Sequence, residues 1–349
     1  MNSIAQARCE RVSMEAGDIK VFTLRIQGTE DEFLNKLRPG RHIAIRYPDT
    51  SGALQQRLYS ITGRRNANVF EIAVKRSGRR SVSDHMHATL HEGSTISLGY
   101  VAGDITIESV ANLERLGMVA GGIGITLPIA LLREIADRAR RGRQVPKTVL
   151  VLCIPKISDI PFLHELLELN LTSMWFTLHV FVTRESIHAR DHFNPGRPTL
   201  ESLSIMGQPQ AVVICGSHRF AQTFREHASS LFPSASLLIE SFTPPEPQAC
   251  QGHEGTERSV RLSLADSEEV IEASSGKSLL EILESYGAPV RSQCRAGICG
   301  DCRVRVSGGE CRFEPDFCLS EKDKISGYAL ACCTFPLSGD IAVEFKAAT

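Results

Sequence analysis

The residues best suited to chemistry are four cysteines near the C-terminal end of the chain. They are Cys294, Cys299, Cys302 and Cys332. The first three form a C-x4-C-x2-C run and the fourth follows at a distance, which is the spacing that plant-type [2Fe-2S] clusters use. Gly297 and Gly300 lie in the run, where a loop that wraps a cluster needs unusual backbone angles or a close approach. We therefore expect an iron-sulfur cluster in this loop.

Two other interpretations of the cysteines remain open at this point. Four thiolates also suit structural zinc, although zinc sites usually present paired C-x2-C knuckles and this stretch has one such pair. Buried free thiols are common in proteins, but packing alone does not account for the spacing. The chain has eleven cysteines, an odd number that makes a poor disulfide framework. The other seven, including Cys333 beside Cys332, are expected to be structural.

A second candidate motif, Arg57-Leu58-Tyr59-Ser60, lies on a predicted strand. Alternation along the strand places Arg57 and Tyr59 on one face and Leu58 on the other. A cation and an aromatic ring can then meet the same ligand. The alternative is an ordinary edge strand with a surface arginine.

Two glycine-containing turns follow predicted strands further along. Residues 120–126 read Ala-Gly-Gly-Ile-Gly-Ile-Thr and open a helix, where glycines let the backbone approach a ligand and the helix N-terminus favours a pyrophosphate. Tight turns between a strand and a helix also need glycine, so this motif by itself is weak. Cys215-Gly216-Ser217 ends a later strand, at the sheet edge where α/β proteins bind ligands.

The elements around these motifs fall into three segments. Short strands predicted at 21–26, 42–47, 57–62, 70–75 and 95–98 favour a small antiparallel barrel. The first predicted helix spans 82–91, with Ser83 as its cap and Gly93 beyond its end. Strands at 116–120, 148–153, 177–182 and 211–215 alternate with helices at 127–140, 162–169 and 220–231, which predicts a parallel sheet. Beyond a Pro-rich stretch we expect strands at 259–264 and 268–273 and a helix at 279–286 ended by Gly287.

With these motifs in this order, the chain resembles the ferredoxin-reductase superfamily over nearly its whole length. The group in question carries a C-terminal plant-type ferredoxin domain and includes reductase components of Rieske-type oxygenases, such as phthalate dioxygenase reductase and vanillate demethylase reductase. The resemblance implies a flavin-binding antiparallel β-barrel at 1–109 and an α/β nicotinamide-binding domain with a parallel sheet at 110–244. It further implies a linker at 245–257 and an α+β (β-grasp) [2Fe-2S] domain at 258–349.

The resemblance also implies which residues contact the flavin. Arg57, Tyr59 and Ser60 match the family's R-x-Y-S, with Leu58 between them, and Ser60 is implied near the reactive flavin nitrogen. The next flavin strand and the segment that holds the flavin phosphates are matched by Ala73, Val74, Lys75, Ser81, Val82 and Ser83. The latter segment is closer to the G-x-V-S of FAD-binding members than to the G-R-G-G-S of FMN-binding members. We therefore expect FAD, with FMN as the alternative.

The nicotinamide residues follow in the same way. The family's G-G-I-G-I-T, C-G-P and E-x-F are matched by Gly121, Gly122, Gly124, Thr126, Cys215, Gly216, Ser217, Glu240 and Phe242. Cys215 is implied near the nicotinamide carbon that donates hydride, and Ser217 stands where the family has proline. The resemblance favours Cys332 over Cys333 as the fourth cluster ligand. It implies NADH, with NADPH open because Lys156 and Arg184 follow predicted strands where a 2′-phosphate would be met.

The function these features predict is electron transfer from NADH through flavin and [2Fe-2S] to an oxygenase component, with Ser60 and Cys215 at the hydride step. The composition, with 42% hydrophobic residues, 23% charged residues and a formal net charge of −1, is ordinary for a globular protein. Nothing indicates nucleic-acid or membrane binding. Without a visible secretory signal we expect a cytoplasmic protein. The partner is expected to be a Rieske-type oxygenase docking near the ferredoxin domain; the alternatives are a diiron or haem oxygenase, or a redox sensor without turnover.

Overall fold

The computed structural model describes residues 5–28, 31–78, 80–189, 192–245, 259–264, 270–292 and 294–345. Contacts divide the chain into two compact units. The first comprises Met1–Gly216 with Thr223–Glu240, and the second comprises Ser217–Gln222 with Ser241–Thr349. The predicted linker at 245–257 lies outside the described residues except for Pro245. The predicted domain boundaries stay predictions.

A closed barrel of six strands forms the N-terminal part of the first unit. Its strands are β1 (Ala5–Met14), β2 (Ile19–Gln27), β3 (His42–Pro48), β4 (Leu54–Asn66), β5 (Val69–Lys75) and β6 (Thr95–Ala102). They follow the order β1-β2-β5-β4-β3-β6 with antiparallel pairing. Side chains alternate between the two faces, and Phe22, Leu24, Ile43 and Ile72 are fully buried in the barrel core. The predicted antiparallel barrel is confirmed.

Two short helices accompany the barrel, and they correct two expectations. α1 (Asp31–Lys36) precedes the helix that was predicted to be the first. It was not predicted because six residues are too few to show a helical period. α2 (Val82–Thr89) is capped by Ser81, so the prediction that Ser83 is its cap was wrong. The reason is Asp84 at the third helical position, whose carboxylate accepts the Ser81 N–H at 2.9 Å and so fixes the cap two residues earlier.

The second part of the first unit is an α/β layer. Its strands are β7 (Arg115–Gly121), β8 (Lys147–Ile154), β9 (Phe176–Val182), β10 (Phe193–Pro195), β11 (Ala211–Gly216) and β12 (Ser236–Ser241). Its helices are α3 (Ile107–Val110), α4 (Thr126–Arg140), α5 (Leu163–Thr172) and α6 (His218–Leu231). The strand order is β10-β9-β8-β7-β11-β12, and the pairings from β10 through β11 are parallel. The predicted parallel sheet is confirmed.

Arg133 on α4 ties the two layers of the first unit together. Its guanidinium donates to both carboxylate oxygens of Glu165 on α5 at 2.8 and 2.7 Å, and to the Thr62 carbonyl on β4 at 3.1 Å. Glu71 on β5 lies 3.4 Å away. A partly buried arginine with paired carboxylates and a fork of hydrogen bonds holds its neighbours in fixed orientation. β4, which carries the Arg57–Ser60 motif, is thereby held against α4.

The C-terminal part is a mixed sheet with one main helix. Its strands are β13 (Ser259–Leu264), β14 (Val270–Ser274), β15 (Arg303–Ser307), β16 (Glu310–Phe313), β17 (Tyr328–Leu330), β18 (Thr334–Ser338) and β19 (Asp340–Phe345), and its helices are α7 (Leu279–Ser285) and α8 (Glu321–Ile325). One sheet has the order β14-β13-β19-β15-β17, and β16 pairs with β18. Leu279, Leu283, Val260 and Ile341 are fully buried in the core of this part. The expected α+β arrangement is confirmed.

Across the part of the chain that the structure describes, no helix is both long enough and apolar enough to cross a membrane.

Candidate functional site

The cysteine loop lies between α7 and β15 and folds around its glycines. Gly297 and Gly300 have φ angles of +74° and +75°, a conformation that a side chain disfavours. A Cβ on Gly297 would stand 2.7 Å from the Cys333 Sγ atom, so the backbone also comes too close there for any side chain. The backbone of the loop therefore requires glycine at both positions, as the sequence predicted.

The four predicted ligand sulfurs fall into two pairs. The Cys302 and Cys332 Sγ atoms are 3.3 Å apart, and the Cys299 thiol donates a hydrogen bond to the Cys294 sulfur. A tetrahedral thiolate site with metal–sulfur bonds of about 2.3 Å holds two of its sulfurs about 3.8 Å apart. The Cys302–Cys332 pair is thus close to the separation that one iron requires, and Cys294 and Cys299 form the second hydrogen-bonded pair. Four thiols in two pairs are the donor set of a two-iron cluster with bridging sulfides.

No three Cys, His, Asp or Glu side chains of the described residues gather around one ion position. The Cys294 sulfur instead accepts hydrogen bonds from two backbone N–H groups, those of Ala296 and Cys299, each at 3.4 Å. The hydrogen bond from the Cys299 thiol, together with these N–H groups, lowers the pKa of Cys294 to about 6 in spite of burial. Amide donors of this kind stabilise a thiolate and tune a cluster bound to it.

Cys333 is the neighbour that could be confused with the fourth ligand. Its side chain is buried beside Gly297, and its Sγ atom lies 3.7 Å from that of Cys332. Cys332, by contrast, closes the pair with Cys302. The geometry therefore favours Cys332, the residue that the resemblance implied.

The Arg57–Ser60 motif lies on β4, opposite β3. Arg57 is exposed, Tyr59 is half-buried against the barrel core, and Ser60 is buried. Ser60 pairs directly with His42 on β3, so both side chains lie on the same face of the barrel wall. The motif thus offers an exposed cation, an aromatic ring and a buried hydroxyl along one strand.

Asp84 organises the segment after β5, which the resemblance implies holds the flavin phosphates. Its carboxylate accepts the N–H groups of Ser77, Gly78 and Ser81, each at 2.9 Å. The Ser81 amide is therefore occupied within the protein. Val82 and Ser83 stand at the first two helical positions, where N–H groups have no partner within the helix. Asp84 was not among the predicted residues, although its place three residues after Ser81 is the signature of a capping box.

The two turns predicted to face the nicotinamide meet at one edge of the parallel sheet. β7 and β11 are parallel neighbours with Ala120 opposite Cys215. Gly121 and Gly122 lead from β7 into a short turn of 3₁₀ helix, and Thr126 then begins α4. A Cβ on Gly124 would stand 2.1 Å from the Cys215 carbonyl oxygen. Gly124 is therefore required for the two turns to pack, as Cys215 and Gly216 occupy the space.

Four polar side chains converge where the barrel and this sheet edge meet within the first unit. The Glu240 carboxylate at the end of β12 is 5% exposed. Its oxygens lie 3.5 Å from Ser60 Oγ, 3.8 Å from Cys215 Sγ and 3.4 Å from His42 Nδ1. Burial, with the nearby Glu240 carboxylate, raises the pKa of the Cys215 thiol well above its usual value, so it stays protonated.

The structure thus brings together three of the predicted residues, Ser60, Cys215 and Glu240, which lie far apart in the sequence. It adds His42, for which the sequence carries no local signal. Ser217 and Phe242 fall in the second unit, where Ser217 accepts the Phe220 N–H at 3.3 Å at the start of α6. Their predicted contacts with the nicotinamide stay predictions.

Comparisons with known proteins agree with this arrangement. Residues 262–337 match the family model of the 2Fe-2S iron-sulfur cluster binding domain. The chain is 25% identical to the glycine betaine monooxygenase reductase subunit of Chromohalobacter salexigens, over 99% of this chain and 96% of that protein. It is 25% identical to the vanillate O-demethylase oxidoreductase of Pseudomonas putida, over 92% of this chain and 93% of that protein. The structure of phthalate dioxygenase reductase superposes with a TM-score of 0.63 at 24% identity, covering 97% of each chain.

The chain has the order of parts that such modular reductases have: an antiparallel barrel, an α/β domain with a parallel sheet, and a domain that matches the 2Fe-2S iron-sulfur cluster binding family. The expected resemblance to ferredoxin-reductase superfamily members with a C-terminal plant-type [2Fe-2S] domain is confirmed along nearly the whole chain.

Proposed function

We propose that this chain is the NAD(P)H-dependent reductase component of an oxygenase system. It takes hydride from NADH and passes single electrons through flavin and a [2Fe-2S] cluster to an oxygenase protein. The observation that carries the proposal is the presence in one chain of two separate sets of residues, the Ser60–Cys215–Glu240 cluster in the first unit and the paired cysteine sulfurs in the second. One relative named above is a monooxygenase reductase subunit, and the superposed structure is that of phthalate dioxygenase reductase, which supports an oxygenase as the partner. Within that class we propose a Rieske-type oxygenase, docking near the ferredoxin domain in the cytoplasm.

The proposed cofactor residues divide into three groups. For the flavin, proposed to be FAD, they are Arg57, Leu58, Tyr59, Ser60, Ala73, Val74, Lys75, Ser81, Val82 and Ser83. For the nicotinamide they are Gly121, Gly122, Gly124, Thr126, Cys215, Gly216, Ser217, Glu240 and Phe242. For the cluster they are Cys294, Cys299, Cys302 and Cys332. When bound, the flavin supplies the conversion of a two-electron donor into two single-electron steps, and the cluster supplies the single-electron exit.

The chain's own residues supply position and a dry environment. Ser60 presents its hydroxyl from a rigid barrel strand, where the register with β3 fixes its direction. Cys215 presents a neutral thiol at the sheet edge, and a neutral, polarisable group tolerates a ring stacked beside it. Glu240 accepts hydrogen bonds from both and so fixes their protons. Groups held on strands keep the geometry that hydride transfer requires.

Anaerobic stopped-flow mixing with NADH tests the proposal. We expect rapid bleaching of the flavin absorbance, then reduction of the cluster, and steady turnover with cytochrome c as the acceptor. Cys215→Ala is expected to slow flavin bleaching about tenfold or more, whereas Cys9→Ala, which removes a buried thiol from the barrel core, leaves that rate unchanged. A protein that binds flavin and NADH but does not turn over would instead be the redox sensor.

Three further measurements decide the finer parts of the proposal. Chromatography of the released flavin distinguishes FAD from FMN. Steady-state kcat/KM with each nucleotide decides between NADH and NADPH, and equal values would contradict the NADH preference. Product formation by a purified Rieske oxygenase, supplied with this reductase and NADH, tests the partner; turnover only with a diiron or haem oxygenase would contradict the Rieske assignment.

A further inference from the structure

Arg80, in the loop between β5 and α2, has a backbone conformation that side chains disfavour. Its φ angle is +57°, in the left-handed region where glycine is the usual residue. Such a conformation costs free energy in a residue that has a Cβ atom, and residues strained in this way concentrate at functional sites. A role for the arginine side chain would explain why glycine does not stand at this position.

The loop is held on both sides of Arg80, and this maintains the strained backbone. The Thr50 hydroxyl donates to the Arg80 carbonyl at 2.7 Å. The Asp84 carboxylate accepts the N–H groups of Gly78 and Ser81, each at 2.9 Å. All these contacts use the backbone of the loop, so a glycine at position 80 could make them equally well. They account for the φ angle of Arg80 and leave its side chain unexplained.

Arg80 lines an open cleft on the barrel, with a volume of about 420 Å³. The other charged residues that line this cleft are Asp18, Arg76 and Asp84. Residues 81–83, which the resemblance implies hold the flavin phosphates, follow Arg80 directly in the chain. The strained arginine and the cleft therefore adjoin the segment that is proposed to bind phosphate.

The other charged groups of the cleft have partners within the protein. Arg76 donates to the Asp18 carboxylate at 3.0 Å, and the Asp84 carboxylate accepts N–H groups of the loop. In the part of the chain that the structure describes, the Arg80 guanidinium has no carboxylate partner. Arginine stays charged at every pH at which proteins work, and its planar fork of N–H donors matches phosphate oxygens. The cleft thus presents one cation that is suited to a phosphate group.

We propose that Arg80 binds a phosphate group of the flavin, and that its strained backbone holds the guanidinium at the cleft for this contact. The inference rests on the proposed flavin-dependent function and adds a residue to the proposed flavin-binding set. FAD carries a pyrophosphate and FMN a single phosphate, whereas riboflavin has the same ring system without any phosphate. Arg80 therefore contributes to the affinity for the phosphorylated flavins and not to the affinity for riboflavin.

Calorimetric titration of the flavin-free full chain with FAD, FMN and riboflavin tests the proposal. In Arg80→Gly we expect the Kd for FAD to rise about tenfold or more, while the Kd for riboflavin stays within about twofold of wild type. A parallel rise for FMN assigns the contact to the phosphate on the ribityl chain, and a rise for FAD alone assigns it to the second phosphate. Arg80→Asn is expected to behave like Arg80→Gly, because asparagine tolerates the left-handed conformation but carries no charge.

Two controls separate phosphate binding from a structural role. The double variant Arg76→Gln/Asp18→Asn removes the neighbouring ion pair and leaves the net charge of the cleft unchanged, so all three Kd values are expected to match wild type. The thermal unfolding midpoint of flavin-free Arg80→Gly is expected not to fall, because relief of the strained backbone offsets the freedom that glycine adds to the unfolded chain.

An unchanged Kd for FAD in Arg80→Gly, or a riboflavin Kd that rises as much as that for FAD, would overturn the proposal. So would a loss of FAD affinity in the double variant as large as that in Arg80→Gly. A chain that binds none of the three flavins contradicts the proposed function as well. Flavin binding that Arg80→Gly leaves intact contradicts this inference alone, since no titration uses NADH or an electron acceptor.

Discussion

Gly124 packs directly on the carbonyl oxygen of Cys215, close enough that an added Cβ would stand 2.1 Å from it. The glycine turn and the cysteine turn are therefore one structural unit, although ninety residues of chain lie between them. Since both atoms belong to backbone that is anchored on adjacent parallel strands, neither can move aside cheaply. This contact couples the two motifs that are proposed to bind the nicotinamide.

Gly124→Ala is accordingly expected to raise the KM for NADH about tenfold or more, because forcing a methyl group into a packed backbone contact costs about 1–3 kcal/mol. Steady-state kinetics at varied NADH measures it. Gly142→Ala is the control, since Gly142 has a φ of +70° with open space around it. It is expected to lose stability without a change in KM. Equal KM values for all three proteins would contradict the packing argument.

Cys332→Ser and Cys333→Ser separate the proposed ligand from its neighbour. Cys332 pairs with Cys302 at 3.3 Å, so its loss leaves one iron short of a thiolate, and we expect iron content and visible cluster absorption to collapse. Cys333→Ser changes a buried thiol next to the cluster and is expected to keep the iron. A variant protein Cys332→Ser with full iron, or Cys333→Ser without any, would show that the assignment is reversed.

The free energy of unfolding of the barrel is expected to depend on pH through His87. Its Nε2 donates to the Val74 carbonyl at 2.8 Å, and burial lowers the pKa of His87 below the usual 6.5. As pH falls below about 6.5, the unfolded chain takes up a proton that the folded ring resists, so the free energy of unfolding decreases. The stabilising contribution is fully present above that pH and declines as pH falls toward the lowered folded-state pKa.

In His87→Gln this contribution disappears. Between pH 7.5 and pH 5.5, wild type is expected to lose more stability than the variant, by less than about 1 kcal/mol because the ring is only partly buried. Thermal unfolding midpoints at several pH values measure the difference. Parallel curves for the two proteins, or a larger loss in the variant, would contradict the lowered pKa of His87 in the folded chain.

Much of this architecture could be predicted from the sequence because strong patterns carry it. The strand at Ala211–Gly216 is a continuous apolar run and the helix at Thr126–Arg140 has a long helical apolar period, and the structure has both. β1 was missed even though Ala5, Ala7 and Cys9 alternate inward along it. These side chains are small, so the alternation carries little hydrophobic signal.

The cluster loop could be predicted from a local sequence pattern, whereas the polar cluster around Glu240 could not. Cysteine spacing is local, so the pairs around Cys294 and Cys302 follow from the chain itself. The approach of His42 to Glu240 depends on the register of β3 with β4 and on a strand almost two hundred residues later. No local motif encodes such a contact, and only the folded chain reveals it.

The most direct test of the account is the metal content of the full chain purified without oxygen. Iron, zinc and acid-labile sulfide are measured together on one preparation, with protein quantified by amino-acid analysis. The paired sulfurs predict two irons and two sulfides per chain and no stoichiometric zinc. One zinc per chain with no sulfide, or thiols with no metal at all, would contradict the electron route proposed here.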